Sequence, residues 1–170
     1  DPETMAPCKP GETGEIQIKE PVTVGYYKDE DKNREAFTAD GWFRTGDLGF
    51  FDADGYLYFR GRIKEMIKTG GINVAPAEVE GILMSQKGVD VAYVVSVPDE
   101  ARGEIVGAVI VTGEKDHDAL EKRLRDELKK ALAAYKLPRA YQFVSERELP
   151  LTTTGKVQKN RMADFFKDGR

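Results

Sequence analysis

Four leucines recur at every fourth position of the longest periodic segment, residues 118–134: Leu120, Leu124, Leu128 and Leu132. Side chains four positions apart lie on the same face of an α-helix, so the segment is predicted to be an amphipathic helix. Lys136-Leu137-Pro138 is predicted to stop this helix. The leucine face requires an apolar partner, and the β-branched runs at 91–97 and 105–111 predict two strands of a sheet.

Strand and helix patterns alternate from residue 65 onward. A hairpin is predicted over residues 66–74, with its turn at Thr69-Gly70-Gly71, and Pro76 suits the first turn of a following helix. A strand at 141–144 and a short terminal helix with Met162 and Phe166 complete the pattern. We therefore predict an α+β fold, in which a central sheet with packed helices forms a small domain.

The first 60 residues have a different pattern, with short predicted strand pieces such as Gly41-Trp42-Phe43 and Phe50-Phe51 and tight turns such as Asp52-Ala53-Asp54-Gly55. They predict an antiparallel β piece. The expected organisation is thus a β piece over 1–60, a junction over 61–64 and the α+β domain over 65–170.

Composition restricts the function. The 170 residues carry a net charge of −4, which argues against a nucleic-acid surface. No apolar run approaches the roughly 20 residues that a membrane span requires. The single cysteine, Cys8, fits a reducing, cytoplasmic setting. Because the chain begins at Asp1 without an initiator methionine, we expect it to be a fragment of a longer protein.

Pro150-Leu151-Thr152-Thr153-Thr154-Gly155-Lys156 is the strongest chemical motif. Hydroxyls and a glycine before a lysine offer hydrogen-bond donors and a mobile positive charge to an anion. A Walker A loop is excluded, since Val157 stands where that loop needs Ser or Thr. Taken alone, the motif is equally compatible with a polar surface turn.

Three weaker features also have two interpretations. Asp47, in a glycine-flanked turn, fits either a ribose ligand or an Asx-type turn. Arg62 and Lys64 fit either a phosphate clamp or a solvated linker. Lys129 belongs to a basic group at the end of the long helix, where cations are stabilising in any case. The only histidine, His117, has no second His or Cys nearby, so no metal site is predicted.

The order of the motifs is more specific than any one of them. The chain resembles the adenylate-forming superfamily, of the acyl-CoA synthetase type, in Gly11-Glu12-Thr13-Gly14-Glu15-Ile16, Gly41-Trp42-Phe43-Arg44-Thr45-Gly46-Asp47, Asp54-Gly55-Tyr56-Leu57, Gly61-Arg62-Ile63-Lys64-Glu65, Val74-Ala75-Pro76-Ala77-Glu78-Val79-Glu80 and the segment ending at Lys156. The resemblance implies that 1–60 ends a large adenylation domain and that 65–170 is the small C-terminal lid.

The resemblance also implies residue roles. Lys156 would contact the carboxylate and the α-phosphate of ATP in the adenylation step, and Asp47 and Arg62 would bind the nucleotide. Lys64 would be the hinge about which the lid rotates between two half-reactions. Lys68 would serve the thioester step, for which Gly70 and Gly71 would line the coenzyme A passage. Lys129 is a candidate for the coenzyme A phosphates.

The expected substrates are a carboxylic acid, ATP and coenzyme A, with acyl-CoA, AMP and pyrophosphate as products. Mg²⁺ is expected with ATP, on ligands in the missing N-terminal domain, which is also the expected partner. Two alternatives remain: a non-catalytic module that binds coenzyme A or a carrier protein, and an adenylation domain that loads a carrier protein. The sequence does not specify the acid.

The 170-residue chain alone is expected not to catalyse adenylation, because the family's phosphate loop and Thr-Glu motif are absent from it. Assay of radiolabelled pyrophosphate exchange into ATP checks this. Exchange above the no-protein background, with any carboxylic acid, would contradict the expectation.

Overall fold

The computed structural model describes residues 1–19 and 23–167, so residues 20–22 and 168–170 of the predicted domains lie outside it. The chain forms two compact units, Asp1–Lys64 and Glu65–Arg170. Each contains a sheet, and the helices are few, so the predicted α+β class is confirmed. Two expectations stay predictions: that the first unit ends a larger domain, and that the second unit is a lid.

The first unit is built on a three-stranded antiparallel sheet in the order β1-β2-β3, with β1 at Gly14–Ile18, β2 at Phe43–Phe51 and β3 at Leu57–Arg62. Two short strand pieces, at 41–43 and 50–51, were predicted where the structure has the one continuous strand β2. The intervening Thr45-Gly46-Asp47 hides the strand in the sequence, because it interrupts the apolar pattern.

A seven-residue helix in this unit, α1 at Glu30–Ala36, was not predicted. It buries no side chain, so it has no apolar face for a periodicity to reveal. Its start is set by Asp29, whose carboxylate accepts a hydrogen bond of 3.1 Å from the backbone N–H of Lys32.

The second unit has a five-stranded sheet and two α-helices. The strands are β4 at Ile67–Thr69, β5 at Ile72–Val74, β6 at Val91–Asp99, β7 at Gly103–Val111 and β8 at Ala140–Val144. The helices are α2 at Pro76–Met84 and α3 at His117–Ala131, and 3₁₀ turns lie at Ala134–Lys136, Glu146–Glu148 and Lys159–Phe166.

Strand β7 is the centre of this sheet. Antiparallel β6 pairs with it from Gly103 to Val111 and occupies one edge. Two strands share the other side of β7: antiparallel β4 pairs with it at Gly103, and parallel β8 pairs with it from Gly107 to Val111. The parallel pairing requires a crossover, which α3 provides.

The leucine face of α3 is buried as predicted, with Leu120, Leu124 and Leu128 fully inaccessible. The helix ends at Ala131 rather than at the predicted Ala134, because Leu132 turns to an extended conformation with φ −122°. Leu132 nevertheless stays buried in the same core. In the residues described, no helix is long and apolar enough to cross a membrane.

Tyr141 on β8 packs against this core, and the guanidinium of Arg125 lies 4.6 Å from its ring centre. Burial raises the pKa of Tyr141 to about 12 from 10.0, partly opposed by Arg125. A raised pKa means that the unfolded chain loses the phenol proton first as pH increases.

We predict that the stability of this unit therefore decreases between pH 10 and about 12 through Tyr141. Tyr141→Phe should make the decline shallower, measured as urea unfolding midpoints across that range. Tyr135→Phe is the control, since Tyr135 is 42% exposed. Parallel declines in wild type and Tyr141→Phe would contradict the prediction.

Candidate functional site

Lys156 lies on a small closed loop, residues 150–158. Leu151 and Val157 form a bridge across its base. Inside it, the N–H of Thr152 donates to the Lys156 carbonyl at 2.7 Å, and the N–H of Lys156 donates to the Thr152 hydroxyl at 3.0 Å. The backbone that carries Lys156 is thus fixed on both sides.

The side chain of Lys156 is exposed, and within the part of the chain that the structure describes its ammonium has no hydrogen bond or ion pair. The hydroxyls of Thr152 and Thr154 lie 2.9 Å apart on the same loop. A fixed backbone with an unpaired cation suits an incoming anion, because no internal ion pair has to be broken on binding.

Lys159 anchors the end of this loop. Its ammonium lies 2.8 Å from Glu80 Oε1 on α2 and 3.1 Å from Glu65 Oε2. Glu80 is largely buried, and its Oε1 also accepts a 2.8 Å hydrogen bond from the backbone N–H of Val94 on β6. Sequence reasoning missed this cluster. The only signal was a lysine three residues after Lys156, which no helical or strand period links to Glu65 or Glu80.

Lys68 and the glycine turn belong to one hairpin, β4–β5. Thr69 pairs with Ile72, which leaves Gly70 and Gly71 as a two-residue connection with φ of 56° and 80°. Positive φ at both positions is the hairpin geometry that favours glycine. Among the described residues, no atom other than those of the adjacent residues lies within 4 Å of where a Cβ would stand on either glycine, so the turn has an open surface.

The start of the hairpin is held by Glu104, whose Oε2 accepts a hydrogen bond of 2.7 Å from the backbone N–H of Lys68. The Lys68 side chain is exposed. Across the described residues, no hydrogen bond or ion pair joins Lys68 to the Lys156 loop. The two lysines are therefore carried by separately anchored segments of one unit.

Asp47 and Arg62 are directly opposite each other on β2 and β3 of the first unit. Arg62 Nε lies 2.9 Å from Asp47 Oδ1, at an angle that makes an ion pair without a good hydrogen bond. Oδ1 is buried and has no hydrogen-bond donor in the described chain, while 27% of the Asp47 side chain is exposed. The carboxylate thus keeps capacity to accept a hydrogen bond.

Lys64 lies in the 3₁₀ turn Ile63–Glu65 and is exposed. The first compact unit ends at this residue. Its role as a hinge stays a prediction.

The basic group near the end of α3 is paired internally. Lys129 lies 3.5 Å from Asp126, Lys130 lies 2.7 Å from Glu127, and Lys136 lies 2.7 Å from Glu78. A shallow groove of about 440 Å³ on α3 is lined by three acidic and three basic residues: Asp118, Glu121, Lys122, Arg125, Asp126 and Lys129. This balance of charge gives no particular support to the predicted phosphate contact of Lys129.

In the described residues, no group of three or more His, Cys, Asp and Glu side chains is arranged to hold a metal ion.

Residues 78–156 match the AMP-binding enzyme C-terminal domain. This match confirms the resemblance drawn from the ordered motifs, and it runs from Glu78 on α2 to Lys156.

The curated relatives that the chain resembles include coenzyme A ligases of different acids. The chain is 45% identical over 159 residues to the sulfoacetate–CoA ligase of Cupriavidus necator and 42% identical over 159 residues to the oxalate–CoA ligase of Saccharomyces cerevisiae. Both alignments cover 92% of the chain but only 30% and 29% of the relatives, so it spans about a third or less of their length.

The structure is similar to ATP-bound MatB from Rhodopseudomonas palustris, with a TM-score of 0.85 and 36% identity. The match covers 99% of this chain and 33% of that one. Both the sequence and the structural likeness therefore include the first unit as well as the C-terminal domain.

We predict that Lys159→Ala loosens the Lys156 loop, because two carboxylates lose their shared cation. Hydrogen exchange of the Thr152 and Gln158 amides should become about tenfold faster. Lys159→Arg should keep exchange slow. Lys167→Ala, which removes a surface pair with Asp164, is the control. Unchanged exchange in Lys159→Ala, or equally fast exchange in Lys159→Arg, would contradict the anchoring role.

Proposed function

We propose that this chain is part of an ATP-dependent acid–thiol ligase. In the first half-reaction a carboxylate oxygen attacks the α-phosphorus of ATP, which gives acyl-AMP and releases pyrophosphate. In the second, the sulfur of coenzyme A attacks the acyl carbon and AMP leaves. The match of residues 78–156 to the AMP-binding enzyme C-terminal domain and the coenzyme A ligases among the relatives support this reaction class.

The observation that carries the proposal is the exposed and unpaired ammonium of Lys156 on its closed loop. Negative charge increases on the α-phosphate oxygens as the carboxylate attacks. A lysine held at that point stabilises the charge more in the transition state than in the ground state. Removal of one such electrostatic group typically costs about a hundredfold to a thousandfold in rate.

Asp47 is proposed to bind the ribose hydroxyls, with Arg62 beside it on the nucleotide. The pairing of these residues across β2 and β3, and the partial exposure of the Asp47 side chain, support this role. A ribose hydroxyl would donate to the exposed part of the carboxylate, and a hydrogen bond to a charged acceptor is favourable.

The hairpin with Lys68, Gly70 and Gly71 is proposed to serve the thioester step. Its glycine turn is open, so a thin pantetheine chain can approach the backbone closely. Because this hairpin and the Lys156 loop are anchored separately, rotation at Lys64 would present one or the other to the substrate. Lys129 is a weaker candidate for the coenzyme A phosphates.

Mg²⁺ would accompany ATP as its counter-ion. A carrier protein in place of coenzyme A, or binding without catalysis, would use the same hairpin. Separate assays of the two half-reactions distinguish these possibilities.

In the full gene product, Lys156→Ala should slow acyl-AMP formation at least about a hundredfold and spare the reaction of supplied acyl-AMP with coenzyme A. Lys68→Ala should do the reverse. Each half-reaction is followed by quenching and chromatography of acyl-AMP and acyl-CoA.

Lys115→Ala is the control for both, since Lys115 is an exposed lysine outside the two segments. Equal loss of both half-reactions in both variants would contradict the two-face assignment. Absence of any acyl-AMP in the wild-type protein, over a panel of acids, would contradict the proposed reaction itself.

A further inference from the structure

The pairing of β1 with β2 in the first unit contains an irregularity that includes Asp47. Glu15 on β1 pairs with Leu48 on β2, but Gln17 pairs with Arg44. One residue of β1 therefore faces three residues of β2, Thr45-Gly46-Asp47. Such bulges interrupt the ladder of backbone hydrogen bonds and redirect side chains.

Gly46, at the middle of this bulge, has φ +71°. A residue with a Cβ would pay a conformational cost here, even though no atom lies within 4 Å of the Cβ position. The bulge is thus set by backbone conformation and not by close packing at Gly46.

Side chains replace the hydrogen bonds that the ladder loses. Glu15 Oε1 accepts from the backbone N–H of Gly46 at 3.2 Å, and Glu15 Oε2 accepts from Arg44 Nε at 2.9 Å. The Thr45 hydroxyl donates to the Ile16 carbonyl at 2.7 Å and accepts from the backbone N–H of Asp47 at 3.0 Å.

Glu15 holds the bulge on both sides of Thr45, through Arg44 before it and Gly46 after it. Only 3% of its side chain is exposed. A buried carboxylate loses its hydration, and a buried ion pair is weak grounds for stability because an apolar pair can replace it at similar or lower free energy. A contribution to stability alone therefore does not explain why a glutamate is buried at position 15.

The position of Glu15 beside Asp47 explains its burial better. Asp47 is the last residue of the bulge that Glu15 holds, and its backbone N–H is bound within the bulge by the Thr45 hydroxyl. The next residue, Leu48, is buried and pairs with Gly61 on β3, immediately before a second register shift, which lies between β2 and β3. The orientation of the Asp47 carboxylate toward Arg62 is thus determined by a bulge on one side and a buried leucine on the other.

We infer that Glu15 is a positioning residue for nucleotide recognition: its buried carboxylate holds the Thr45-Gly46-Asp47 bulge so that Asp47 is presented to ribose hydroxyls. Thr45 acts with it through its hydroxyl. Neither side chain is assigned a contact with the nucleotide. The inference rests on the proposed ribose-binding role of Asp47.

The test compares AMP with 2′,3′-dideoxy-AMP, which lacks both ribose hydroxyls, by isothermal titration calorimetry on the full gene product. Glu15→Gln should weaken AMP binding about tenfold, since a charge-assisted hydrogen bond loses its geometry, and change dideoxy-AMP binding less than about twofold. Asp47→Ala should show the same selective loss.

Thr45→Val is a second variant that keeps the side-chain shape and leaves Glu15 and Arg44 in place. It should also weaken AMP selectively, so the inference stays testable if Glu15→Gln does not fold. Glu12→Gln is the control, because Glu12 is an exposed glutamate three positions before Glu15. This variant should bind both nucleotides as the wild type does.

The outcomes separate the inference from the proposed function. If Asp47→Ala loses hydroxyl discrimination while folded Glu15→Gln and Thr45→Val keep it, the positioning role is wrong and the ribose site stands. If these two variants weaken both nucleotides equally, Glu15 and Thr45 support the fold without orienting Asp47, and the inference is again wrong. If Asp47→Ala keeps the discrimination, the ribose site and the inference both fail.

Discussion

Strand β7 is buried on both of its faces, and this constraint shapes the whole second unit. Alternate residues of a strand point to opposite faces. On one face Val106, Ala108 and Ile110 join the core under α2 and α3. On the other, Val109 and Val111 need a second cover, which Met162 of the Lys159–Phe166 turn supplies. Gly107 leaves room for this turn to pack on β7, because a Cβ at Gly107 would lie 3.0 Å from the Phe166 ring and closer still to Val97.

The need for that second cover explains the place of Lys156. After β8 the chain must return across the sheet, and it is buried at Leu149 before the return and at Met162 after it. The Lys156 loop spans these two apolar anchors, and Lys159 adds a polar one through Glu65 and Glu80. A loop held in this way can present a long cationic side chain without ordering its own backbone on binding, which reduces the entropic cost of the encounter.

Sequence reasoning was most successful where the signal is local. The leucine period of α3, the glycine turn after Thr69 and the proline at the start of α2 each follow from neighbours in the chain. It failed where contacts are distant: Lys159 meets Glu65 and Glu80, and Glu15 meets Arg44 and Gly46, with no period to connect them. The bulge that includes Asp47 likewise hid the continuity of β2. The motif order indicated the family, but the residues that hold Lys156 and Asp47 in place required the fold.

In the proposed reaction, a carboxylate attacks the α-phosphorus of ATP with Lys156 beside it. Its most direct test follows oxygen from substrate to product in the full gene product. A carboxylic acid labelled with ¹⁸O in both oxygens, chosen from those that support turnover, should transfer one labelled oxygen to the phosphate of AMP, because the bridging oxygen leaves with AMP when thiol attacks. Mass spectrometry of AMP measures this. Unlabelled AMP, or label found in inorganic phosphate together with ADP, would contradict the account.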